Sequence, residues 1–137
     1  MTSGEGSTLI FESGTISATH GPNTANTAFH VQAKSKVIIN GGTFIRENCP
    51  DAGDLIYALT GGTIEINGGF FRNDGYPRYL LNTSSSGTQM IVRGGTFVDH
   101  HPGKSNDANA IHVPEGYQVV SEKQANGETF YTVVPVS

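Results

Sequence analysis

Val37-Ile38-Ile39-Asn40-Gly41-Gly42-Thr43-Phe44 decides the fold, because the chain repeats it. It returns as Ile64-Glu65-Ile66-Asn67-Gly68-Gly69-Phe70-Phe71 and again as Met90-Ile91-Val92-Arg93-Gly94-Gly95-Thr96-Phe97. A fainter first copy is Leu9-Ile10-Phe11-Glu12-Ser13-Gly14-Thr15-Ile16. Between the second glycine positions, Gly14, Gly42, Gly69 and Gly95, the steps are 28, 27 and 26 residues. A near-constant step of this size marks a stacked repeat, in which one repeat cannot bury its apolar face without its neighbours.

Within each copy the residues before the glycines alternate. Val37 and Ile39 correspond to Ile64 and Ile66, Met90 and Val92, and Leu9 and Phe11. Period two places these residues on one face of a strand. Strands in successive repeats would lie about 4.8 Å apart and pair in parallel. Phe44, Phe71, Phe97 and Ile16 form a second inward column just past the glycines. The glycines allow the sharp bend and the close approach of neighbouring repeats. Asn40 and Asn67 are placed to share side-chain amide hydrogen bonds.

A second strand per repeat is expected at Ala28 to Val31, Leu55 to Leu59, Tyr79 to Asn82 and Ala110 to Val113. Polar segments between strands read as loops: Thr19 to Thr27, Glu47 to Asp54, Asn73 to Arg78, and His100 to Asn109. No segment carries a helical period. The expectation is an all-β chain, a short right-handed parallel β-helix of about four coils with a C-terminal β-hairpin cap. Residues 1–8 read as a flexible N-terminal arm, 9–113 as β-helix repeats, and 114–137 as the cap. The cap rests on Gly116 to Val120 and Thr129 to Val134, with the turn dipeptide Asn126-Gly127 between them.

Composition narrows function by exclusion. The formal net charge is −4, and the eight basic residues are scattered, so no basic stripe for nucleic acid is expected. A single cysteine, Cys49, forbids an intrachain disulfide and a multi-thiolate zinc site. The N-terminal residues lack the basic and apolar regions of a secretion signal, and no apolar run is long enough to span a membrane. Synthesis in a cytoplasm is expected, with no membrane contact.

Two features resemble a known group. The Ile39-Asn40-Gly41-Gly42-Thr43-Phe44 unit is similar to those of pectate-lyase-like right-handed β-helix proteins. The tail is Gly94-Gly95-Thr96-Phe97, then Val113-Pro114-Glu115-Gly116-Tyr117-Gln118-Val119, then Asn126-Gly127-Glu128-Thr129-Phe130-Tyr131-Thr132-Val133-Val134. It resembles the closing module of short β-helix segments on bacteriophage virion proteins and bacterial surface proteins. The resemblance implies capsid decoration (cement) proteins, head fibres or tail-fibre parts, commonly homotrimers. It carries over no catalytic residue, because such modules act by binding.

The chemistry-bearing residues are weighed against that background. Polysaccharide lyases and hydrolases on this scaffold need carboxylates at equivalent positions of neighbouring coils. Here Asp51 and Asp54, Asp74, and Asp99 and Asp107 do not recur that way. Asp99, His100 and His101 could be metal ligands, but neighbours on a strand point apart, and a polar loop opening at Pro102-Gly103 is preferred. His30 and His112 read as residues of equivalent second strands. Tyr57, Tyr76 and Tyr79 could stack on a sugar ring. No catalytic residue, metal ligand or cofactor is expected.

The outward residues carry the functional expectation. Ile10, Ile38 and Ile91 should face away from the core, interrupted by Glu65. Solvated sheet faces carry polar residues, so an apolar outer strip implies cover by another surface. The expectation is a non-enzymatic virion protein that decorates and stabilises a phage head as a homotrimer. Its partners would be itself and the phage major capsid protein or another virion protein. Ile10, Ile38 and Ile91 would form the subunit interface, and Thr2, Ser3, Glu5 and Ser7 a capsid-docking arm. The alternative is a carbohydrate-binding or polysaccharide-depolymerising domain of a tail fibre or bacterial surface adhesin, with Tyr57, Tyr76 and Tyr79 at the glycan.

Overall fold

A computed structural model describes residues 7–19, 29–31, 35–58, 61–83, 89–102 and 111–136. These residues form strands and turns without a helix. In chain order the strands are β1 (Thr8–Phe11), β2 (Thr15–Thr19), β3 (Phe29–Val31), β4 (Lys36–Ile39), β5 (Thr43–Ala58) and β6 (Thr63–Ile66). They continue as β7 (Phe70–Thr83), β8 (Gln89–Val92), β9 (Thr96–Val98), β10 (Ile111–His112), β11 (Tyr117–Lys123) and β12 (Thr129–Pro135).

The repeated octapeptides build two sheets. The first has the order β1-β4-β6-β8-β10, parallel throughout. Leu9 pairs with Val37, Val37 with Ile64, and Ile64 with Met90, so the 26–28-residue step is the sheet register itself. The second sheet has the order β2-β5-β7-β9-β12-β11, with β3 on the far half of β5. Its β2, β5, β7 and β9 are parallel, and β12 and β11 add on antiparallel.

The core lies between the sheets. Val37, Ile39, Ile64, Ile66, Met90 and Val92 from the first sheet meet Phe44, Phe71 and Phe97 from the second, all fully buried. Phe44 and Phe71 stack at 5.0 Å between centroids, and Phe71 and Phe97 at 4.7 Å. Each fully buried side chain of this size contributes roughly 1.5–3 kcal/mol, and each aromatic pair about 0.5–1.5 kcal/mol more. Both inward columns follow the expected alternation. At the first repeat the packing changes: Phe11 tilts onto Phe44 at 56°, and Leu9, Phe11 and Ile16 are only half-buried.

The two glycines of each pair do different work. The second of the pair turns the chain with positive φ, 100° at Gly42 and 111° at Gly69. The first of the pair lies against the repeat beneath. A Cβ on Gly68 would sit 2.5 Å from the Asn40 carbonyl oxygen, and one on Gly94 would be closer still to that of Asn67. Ser13 holds this place in the first repeat and is exposed. The Asn ladder forms as expected. Asn67 Nδ2 donates to Asn40 Oδ1 at 3.0 Å, and Asn40 Nδ2 donates to Glu12 Oε1 at 3.2 Å.

Several sequence expectations need correction. Glu47 to Asp54 and Asn73 to Arg78 are not loops: they lie within β5 and β7. The two strands differ by two residues in length, and bulges between Arg46 and Asp54 absorb the difference. The pairing step falls from 27 (Thr43 to Phe70) to 25 (Ala58 to Thr83). Polar composition suggested loops, but parallel backbone pairing across the repeat prevails. Ile111–His112 does not extend the second-strand column either. It pairs with Met90 and Ile91 of β8 in the first sheet, so His112 and His30 are not equivalent. The shortened last step, 21 residues from Met90 to Ile111, returns the chain directly to the first sheet. At the N-terminus, Thr8 already belongs to β1, opposite Lys36.

The hairpin of β11 and β12 forms around the expected turn, with Gly127 at φ 94°. It lies on the edge of β9 through Thr96 to Thr132, Phe97 to Tyr131 and Val98 to Phe130. Val133 is buried there as part of the core.

Candidate functional site

The outward face of the first sheet is built by the residues that alternate with the core column. Pairing aligns Thr8, Lys36, Thr63 and Gln89 in one row. The next row is Ile10, Ile38, Glu65 and Ile91, with His112 at the following register position. Three of the sequence-predicted site residues therefore do lie in one line. Their exposure is unequal. Ile10 is 54% exposed, whereas Ile38 and Ile91 are half-buried within the single chain.

Glu65 is not a bare interruption of this row. Lys36 Nζ lies 3.2 Å from its Oε1, and Arg93 Nη1 lies 3.9 Å from its Oε2. Lys36 sits two residues before Ile38 and Arg93 two after Ile91, so the cations come from the layers on either side. The pairs are partly solvated and each contributes about 0–1 kcal/mol. Their more useful effect is to give Glu65 a cationic partner on each side, so that no carboxylate in the isoleucine row is unpaired. The signal for these partners was present in the sequence, at the same parity as the isoleucines.

The opposite face, on the second sheet, carries an aromatic and cationic cluster that sequence reading missed. Phe70 meets Phe130 edge-on at 5.7 Å, and the Arg72 guanidinium lies 5.7 Å from the Phe70 ring centroid. Arg72 also donates to both oxygens of Glu128, at 2.5 and 3.2 Å. Hydrogen bonds from Asn126 and Arg72 hold the Glu128 carboxyl below the usual carboxylate range. This cluster fastens the hairpin to the repeats. Thr96 Oγ1 and Thr132 Oγ1 add a hydrogen bond of 3.1 Å on the same face.

Arg46 is the other residue that composition alone did not single out. It lies two positions after Phe44, faces inward, and is fully buried. Its Nη1 donates to Asn73 Oδ1 at 3.2 Å across the β5–β7 pair. Strand parity alone pointed it inward.

The remaining candidate residues are placed less completely. Ser7 is exposed, and its carbonyl accepts from the Lys36 amide at 2.9 Å. Thr2, Ser3 and Glu5 lie outside the described residues. Tyr57 belongs to β5, and Tyr76 and Tyr79 to β7; Tyr79 stands opposite Asp54 in the register, and the side chains lie outside the described set. Asp99 is engaged: its Oδ1 accepts from the Thr129 amide at 2.8 Å. Among the described residues, no three His, Cys, Asp or Glu side chains are grouped to hold one metal ion.

Comparison of the chain with family models, with curated proteins and with solved structures found no match.

Proposed function

We propose that the chain is a right-handed parallel β-helix of about four coils that acts as a non-enzymatic virion structural protein. In this reading it decorates and stabilises a phage head as a homotrimer. The observation that carries the proposal is the row Ile10, Ile38 and Ile91 on one regular parallel sheet, with Glu65 paired to Lys36 and Arg93. Burying that row between subunits adds apolar area at ~25 cal/mol per Å² and takes no unpaired carboxylate from water. The in-register stack supplies a rigid support for it, and the resemblance of the glycine motif and of the tail to virion modules supports the setting. Docking on neighbouring capsid subunits would then be multivalent, with Thr2, Ser3 and Glu5 on the contacting arm and avidity from three linked copies.

Light scattering after size exclusion tests the assembly. The chain of 14.5 kDa should run at three times that mass, and the double change Ile38→Lys with Ile91→Lys should give monomers that keep a cooperative melt. Unchanged mass in the double variant counts against the interface. Co-sedimentation with phage heads at fixed stoichiometry, lost on deleting residues 2–6, tests the partner. New unsaturated sugar ends after incubation with acidic polysaccharide would replace this reading with the depolymerase.

A further inference from the structure

The segment leaving the last repeat carries a half-buried histidine, His100, between two residues that touch the hairpin. The chain leaves β9 at Asp99, which has a left-handed backbone with φ 53°. Asp99 clasps the start of β12 in both directions. Its amide donates to the Thr129 carbonyl at 2.8 Å, and the Thr129 amide donates to Asp99 Oδ1 at 2.8 Å. The His101 ring meets Tyr131 edge-on at 5.6 Å, and Pro102 is buried. Between these anchors, His100 Nε2 is buried without a hydrogen-bond partner.

A neutral imidazole tolerates that site at the cost of one unmet hydrogen bond. An imidazolium would carry an unpaired charge into it, which is far costlier. Parting this segment from the hairpin hydrates the ring and removes the obstacle to protonation. We propose that His100 makes the C-terminal hairpin an acid-released latch, which opens with uptake of one solvent proton at Nε2. An open latch exposes the edge of β9 and the end of the phenylalanine column at Phe97. The proposal is independent of the assembly and virion readings.

Among the described residues, the charged and titratable groups on the exit segment and the hairpin's fastenings are Asp99 and His101 after β9, Glu128 just before β12, Tyr131 on β12, Glu122 and Lys123 on β11, and Arg72 on β7. Of these, only His101 acts on His100 through its charge, and it opposes protonation. Burial, then His101, brings His100 from 6.5 to about 4. The folded value is depressed, so the stabilisation is complete above about 6.5 and is lost as pH falls towards 4. Glu128 stays ionised through most of that window, because its own value is lowered from 4.5.

Amide exchange followed by NMR, corrected for intrinsic rates, tests the latch in the whole chain. From pH 7.5 to 5.0, opening of β11 and β12 should rise about 30-fold relative to β4 and β6, the factor for one proton taken up between these two values. The His100 ring should titrate near 4. His100→Phe should abolish the rise, and Glu128→Gln should increase opening at both pH values while keeping their ratio. A ring that titrates near 6.5 in the native protein overturns the proposal, whatever the variants do. So do hairpin and repeat amides that open in step, or a Glu128→Gln variant whose ratio falls to one.

Discussion

The two ends of the stack are finished differently. At the C-terminal end the second sheet continues into an antiparallel hairpin, and Phe97, Met90 and Val92 are fully buried. Besides its pairing with β9, the hairpin is held by the Arg72–Glu128 pair, the Asp99–Thr129 clasp and Val133 in the core, among other contacts. At the N-terminal end, β1 and β2 are the outermost described strands. Leu9, Phe11 and Ile16, equivalent to residues buried in later repeats, are only half-buried. Open sheet edges template further pairing, and repeat stacks close them with an atypical terminal unit. The difference teaches that a repeat's stability comes from having a neighbour on each side. Where no described strand lies beyond a repeat, as at β1 and β2, the equivalent positions are less buried, and a serine stands in place of the first glycine.

Removing the closed end gives the largest expected effect. Deleting residues 114–136 should abolish the cooperative thermal transition in calorimetry; a retained transition would show that the repeats do not need the hairpin. Next is a paired substitution in one column. Phe71→Ala, between two stacked rings, should cost about 3–5 kcal/mol in urea unfolding. Ile16→Ala, at a half-buried position of the first repeat, should cost about 1 kcal/mol. Equal losses would break the contrast between interior and end.

A smaller effect is expected at the first glycine of the pair. Gly94→Ala pushes a Cβ into the Asn67 carbonyl and should cost roughly 1–3 kcal/mol, whereas Ser13→Ala should stay within about 0.5 kcal/mol. Melting temperatures of the two variants sharpen the comparison directly. The smallest is Arg72→Gln, which should raise exchange of β12 amides without moving those of β4. Because the Glu128 value is depressed, that contribution is complete above 4.5 and fades as pH falls below it. In the Arg72→Gln variant, acid loosening below pH 4.5 should be weaker than in the native chain.

The periodic part of this chain was legible because each repeat meets a copy of itself. Val37, Ile64 and Met90 share a parity and a distance from the glycines, and in-register parallel pairing converts that likeness directly into a column. The Asn ladder was legible for the same reason. The bulged halves of β5 and β7 were not, since Glu47 to Asp54 and Asn73 to Arg78 differ in length and composition. Their pairing depends on backbone groups, which carry no side-chain signature. The outward isoleucines were read correctly as a row, but not the Lys36 and Arg93 pairs that frame Glu65.

By itself, then, the sequence determined the step, the two inward columns, the glycine turns and the hairpin at the tail. Each of these is a local pattern repeated or bounded by turn residues, and local patterns survive in one dimension. Tertiary structure alone decided that Arg46 finds Asn73 as its partner, that Ile111 returns to the first sheet, and that His100 Nε2 is buried. Those outcomes depend on which distant segments come to lie against one another. Burial and charge pairing are properties of the neighbours that a residue acquires, not of its place in the chain.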